Sequence, residues 1–63
     1  MSNIAIFAVE SARRGALEAV ARTQGTLIDG TSDVAALRRL LERRAIDLVL
    51  ADGMSAEDWT ALV

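Results

Sequence analysis

Two carboxylates stand where short apolar runs end. Glu10 follows NIAIFAV, Asn3 to Val9, and Asp52 closes DLVLAD just before Gly53. Acids gathered at strand ends serve two kinds of chemistry. They hold a divalent cation through hard oxygen ligands, or one of them accepts a phosphoryl group whose charge a cation neutralises. Turn chemistry alone also favours acids at such places, so Asp52 has a second reading as the residue that ends its strand. Nucleophilic catalysis has less to draw on. Ser11 and Ser55 have no histidine base anywhere in the chain, and there is no cysteine. The Ser11 to Gly15 stretch has neither the G-x-G-x-x-G spacing nor the Walker lysine.

The elements around these acids are legible from pattern. NIAIFAV is continuously apolar and short, as in a strand buried on both faces. Ser11 offers an N-cap hydroxyl for a first helix. In that helix Ala16, Leu17, Val20 and Ala21 share one face, and Arg13, Arg14, Glu18 and Arg22 fall mostly on the other. Gln24-Gly25 ends it, with Gly25 expected as a left-handed cap. Thr26 to Asp29 reads as a short strand closed by Gly30. Thr31-Ser32-Asp33 caps a second helix with a Val34, Leu37, Leu40, Leu41 stripe. DLVLAD, Asp47 to Asp52, is a third buried strand, and Ser55 caps a third helix whose first turn carries Glu57 and Asp58, where acids suit the helix dipole.

Alternating strands and helices imply an α/β fold with a parallel sheet and right-handed crossovers. The expected layout is a flavodoxin-like βαβαβ half with three strands in order 2-1-3 and helices on both faces. Strand 3 is then an edge strand, although its run Leu48, Val49, Leu50 has the character of a central one. An unprotected apolar edge is a pairing surface. Size points the same way. The chain has 63 residues, and a domain of that length buries only about 60% of the surface its unfolded chain exposes. With no cysteine or histidine it lacks the usual disulfide and zinc staples. Residues 1–63 are therefore expected to form a single module that self-associates, or one that belongs to a larger domain.

Charge and composition limit the partners. Nine acids against seven arginines give a net charge of -2, without a single lysine. That balance argues against direct nucleic-acid contact. No segment has the length of a membrane span, and the N-terminus lacks a signal peptide's basic region, so the expected location is the cytoplasm. Arg38, Arg39, Arg43 and Arg44 cluster on the second helix, either as a solvated face interrupted by Glu42 or as a contact for phosphate or an acidic partner.

The segment GTSDVAALRRLLERRAIDLVLADGM resembles the middle of bacterial receiver domains, the phospho-acceptor modules of two-component response regulators. Ala36-Leu37 and Leu40-Leu41 match the family's second helix, Asp52 takes the acceptor position, and Met54 follows where receivers often have methionine. The element order matches throughout, over about half of a full receiver. The resemblance implies a magnesium site, for which Glu10 and Asp52 are the candidate ligands and Asp52 the candidate phospho-acceptor. Several positions depart from the pattern. Ala8 and Val9 stand where receivers place two acids, Glu10 comes one place late, the proline after the acceptor strand is absent, and there is no lysine.

The resulting expectation is a degenerate, non-catalytic receiver-like module of a bacterial signalling or transcription-regulatory protein. It would work without a cofactor, through contact with a regulatory protein partner and self-association as a homodimer. The expected contact residues are Leu48, Val49, Leu50, Trp59 and Leu62. Two other readings stand beside it: an assembly module with half of this fold and no signalling role, and a true phospho-acceptor receiver, with Asp52 as acceptor, that is missing its C-terminal half.

Overall fold

A computed structural model describes residues 2–62. It contains β1 (Ser2–Ala8), α1 (Ser11–Gln24), β2 (Gly25–Thr31), α2 (Val34–Arg43), β3 (Leu48–Asp52) and α3 (Ala56–Leu62). The strands are all parallel and lie in the order β2-β1-β3. The βαβαβ arrangement implied by the sequence is therefore the observed one, with helices on both faces of the sheet.

β1 is the centre of the molecule. Ile4 to Ala8 are all buried, because this strand has a neighbour on each side and helices above and below. Its side chains alternate between two cores, as strand geometry requires. Ile4 and Ile6 pack with Ala21 and Leu17 of α1, and with Leu27 and Leu50 of the outer strands. Ala5 and Phe7 pack on the other face with Leu37 of α2; Val34, Leu40, Leu41, Val49, Met54 and Leu62 surround them. α1 thus covers one face alone, and α2 and α3 share the other.

Local chemistry sets most of the boundaries. Asp33 is the N-cap of α2, and its carboxylate accepts from the Ala35 N–H at 3.0 Å. α3 opens with a reciprocal pair: the Asp58 N–H donates to Ser55 Oγ at 3.1 Å, and the Ser55 N–H donates to Asp58 Oδ2 at 3.3 Å. Two expectations are corrected. Glu10, not Ser11, is the N-cap of α1, and its side chain makes no capping bond. Gly25 is not a left-handed cap. Its φ of 175° is extended, and the residue begins β2 directly. Glycine is needed there for space, because a methyl group would run into the Ser2 carbonyl across the strand pair.

The two sheet edges differ. β2 carries a bulge: Ile4 pairs with Leu27 and Ala5 with Asp29, which leaves Ile28 as an extra residue. Such an irregularity bends an edge and blunts strand addition. β3 runs in unbroken register, from Ile4 opposite Leu48 to Ala8 opposite Asp52. Its start is clipped to β1 by three hydrogen bonds. The Asp47 N–H donates to the Asn3 carbonyl at 2.9 Å, the Asn3 N–H to Asp47 Oδ2 at 2.8 Å, and Asn3 Nδ2 to the Ala45 carbonyl at 2.8 Å.

Burial along β3 is less complete than its apolar run implies. Leu48 is 44% exposed, while Val49 and Leu50 are half-buried. For Leu48 and Leu50 the cause is the position of α1, which lies over β1 and β2 and meets β3 only at its margin. Val20 was expected in the apolar face of α1, yet it is 53% exposed. Among the described residues, no helix is long and apolar enough to cross a membrane.

Candidate functional site at the carboxyl ends of β1 and β3

The parallel pairing of β1 and β3 places Asp52 directly across from Ala8, the last residue of β1. Glu10 lies two residues further on, at the cap of α1. The fold therefore brings the two candidate acids to one end of the sheet, in the crevice outside the carboxyl ends of the strands where α/β proteins bind ligands. Gly53 shapes the exit from β3. Its φ of +78° lies in the left-handed region, which an L side chain occupies at a cost of about 1–2 kcal/mol. The turn carries the chain past Val9, and a shallow pocket of about 210 Å³ remains, lined by Val9, Glu10, Arg13, Asp52 and Gly53.

A cation already stands between the two acids, and it is Arg13. Its Nη1 lies 3.3 Å from Asp52 Oδ2, and its Nε lies 3.8 Å from Glu10 Oε2. The first contact is also a hydrogen bond. The Glu10 spacing is the i, i+3 relation that places side chains together on a helix. The next residue, Arg14, turns the other way and donates from Nη1 to the Ala8 carbonyl at 2.9 Å. Two successive arginines thus tie the first turn of α1 to the ends of both strands.

The electrostatics are those of a surface ion pair. The Arg13 and Glu10 side chains are 66% and 72% exposed, and Asp52 is the more sheltered at 35%. Exposed pairs contribute about 0–1 kcal/mol. A guanidinium shared by two carboxylates neutralises one charge and positions both acids. A magnesium ion in the same pocket would have two carboxylates as its protein ligands, with water filling an octahedral shell, and it would compete with Arg13 for both. Among the described residues, no group of three or more acids, histidines or cysteines is placed to hold a metal ion.

No protein family, curated protein or solved structure matches this chain. Its functional reading therefore rests on its own geometry and on the pattern of its residues.

The remaining candidates lie apart from the acids. Leu48, Val49 and Leu50 follow the open edge of the sheet. Leu62 packs into the α2-side core, while Trp59 on the same helix is 49% exposed. Two features went unseen in the sequence. Arg13 reads there as one of several residues on a wet helix face, although its i, i+3 spacing from Glu10 was a usable signal. The Asn3–Asp47 clip joins residues 44 apart, and no local pattern announces it.

Proposed function

We propose that this chain is a non-catalytic, receiver-like interaction module that acts by pairing its β3 edge with a second copy of itself. The observation that carries the reading is the contrast between the edges. β3 is regular and apolar from Leu48 to Ala51, whereas β2 is bulged and carries Thr26, Asp29, Gly30 and Thr31. A regular edge presents a row of free N–H and C=O groups that a further strand satisfies.

Apolar surface supports the same edge. Leu48 and Val20 are about half exposed, and Leu17 and Leu50 beside them are only partly covered. These residues belong to the α1 side of the sheet. A two-fold axis normal to the sheet sets β3 antiparallel to its copy and keeps both α1 helices on one face. The leucines of the two strands then meet between those helices. The alternative two-fold axis, along the strand, would pair the strands in parallel but exchange the faces of the sheet, so that the Leu48 and Leu50 side of one copy would continue into the opposite side of the other. Only the antiparallel arrangement brings the exposed leucines of both copies together on one face, so it is the favoured one.

Asp52 has a positioning role in this reading. Arg13 holds it as an ion pair at the end of β3, and the strand rather than the carboxylate makes the functional contact. The resemblance to receiver domains supplies the setting, a bacterial signalling or transcription-regulatory protein in which self-association brings attached partners together.

Molar mass by light scattering at micromolar concentration tests the proposal. The expected value is twice that of the chain, and Leu48→Asp is expected to give a monomer with an unchanged far-UV spectrum. A monomeric parent protein, or a dimer that survives the substitution, would overturn it.

A further inference from the structure

The four arginines of the α2 region divide into two groups. Arg38 pairs with Glu42 at 3.3 Å, four residues on. Arg39, Arg43 and Arg44 have no carboxylate within 4.0 Å among the described residues. These three line a groove of about 330 Å³ together with Asp29, Ala36 and Leu40. Asp29 reaches the groove from the bulged edge, because it pairs with Ala5, whose side chain belongs to the α2-side core.

Three guanidiniums against one carboxylate leave this groove with a net positive charge, in a chain whose overall charge is -2. Arg39 and Arg43 are four residues apart on one helix, where like charges disfavour the helix slightly. Cations without an ion-pair partner among the described residues are available to a ligand. Guanidiniums present planar, paired donors that match carboxylates, and Ala36 and Leu40 add an apolar floor between them.

We infer that the groove between α2 and the β2 edge binds an acidic segment of a partner protein, in which carboxylates flank an apolar side chain. Arg39, Arg43 and Arg44 take the carboxylates, and Leu40 takes the apolar group. The bulge in β2 keeps the segment from adding as a strand, so recognition runs through side chains. A nucleic acid fits less well. The groove has no aromatic residue to stack a base, and Asp29 would repel a phosphate backbone. The groove lies at the sheet edge opposite β3, so it is independent of self-pairing and both contacts can be made at once.

The test is an NMR titration of the arginine Nε–Hε signals with a decapeptide of alternating glutamate and leucine. Saturable shifts are expected at Arg39, Arg43 and Arg44 and at the Leu40 amide, with Arg38 unmoved and no response to the glutamine version of the peptide. Arg39→Gln and Arg43→Gln are each expected to weaken binding about fivefold, while Arg38→Gln leaves it unchanged. Shifts spread evenly over Arg13, Arg22 and Arg38, the lack of saturable binding, or tighter binding of a ten-nucleotide thymidine strand would each overturn the assignment.

Discussion

Asp47 and Asp52 bracket the same strand and do different work. Asp47 accepts the Asn3 N–H and fixes where β3 begins. Asp52 meets a guanidinium where its strand ends. Because the Arg13–Asp52 pair is partly solvated, Asp52→Asn should cost less than about 1 kcal/mol of stability, measurable by urea denaturation. On the interaction-module reading, magnesium with beryllofluoride should leave the Asp52 amide signal in place. A shift at Asp52 on adding both reagents would instead make it an acceptor. The sequence was informative here only in part. It located Glu10 and Asp52 at strand ends, because apolar runs that stop at an acid are local patterns. It did not reveal Arg13 between them, because that contact depends on how α1 is set against β3.

The elements themselves followed from period and composition. β1 was legible because its apolar run has no polar face to offer solvent; Ile4 to Ala8 are buried, whereas Val9, expected in the same strand, lies past its end and is 62% exposed. α2 was legible because its stripe recurs at helical spacing and Asp33 caps it. The ends of α1 were less so. A serine was expected to cap it, but the helix begins one residue earlier, and Gly25 passes straight into β2. Glycine at that junction answers to a neighbouring strand's carbonyl, which is invisible along the chain. Gly15 is a different case. It sits inside α1 with open space where a side chain would be. Gly15→Ala should therefore stabilise the protein by about 1 kcal/mol, raising the urea midpoint. Gly25→Ala should lower it by about 1–3 kcal/mol through overpacking. The two alanines together separate glycine as a helix weakness from glycine as a spatial need.

At the scale of the whole molecule, the three strands and three helices of the described residues leave the coverage uneven. α2 and α3 share one face, while α1 leaves the β3 side of the other partly bare. The order 2-1-3 was readable from the alternation of elements. The exposure of Leu48 and Val20 was not, because hydrophobicity records what a residue prefers and not which neighbours are present. That difference sharpens what substitutions on β3 report. Leu48 faces the bare side, so Leu48→Asp tests the proposed association. Val49 packs into the α2-side core, so Val49→Lys should unfold the chain by placing a charge there. Circular dichroism distinguishes the two: native helix content for the first, loss of it for the second.

The central place of β1 also sets a schedule for synthesis. Of the three strands, the one synthesised first is the one that both others must flank, and its pairing with β3 joins residues 44 apart. At ordinary translation rates of about 5–20 residues per second, Ile4 to Ala8 wait for seconds before their last neighbour exists. During that interval the most apolar stretch of the chain has no lasting cover. The arrangement that makes β1 the best-buried strand of the finished protein also makes it the strand that waits longest for its neighbours during synthesis.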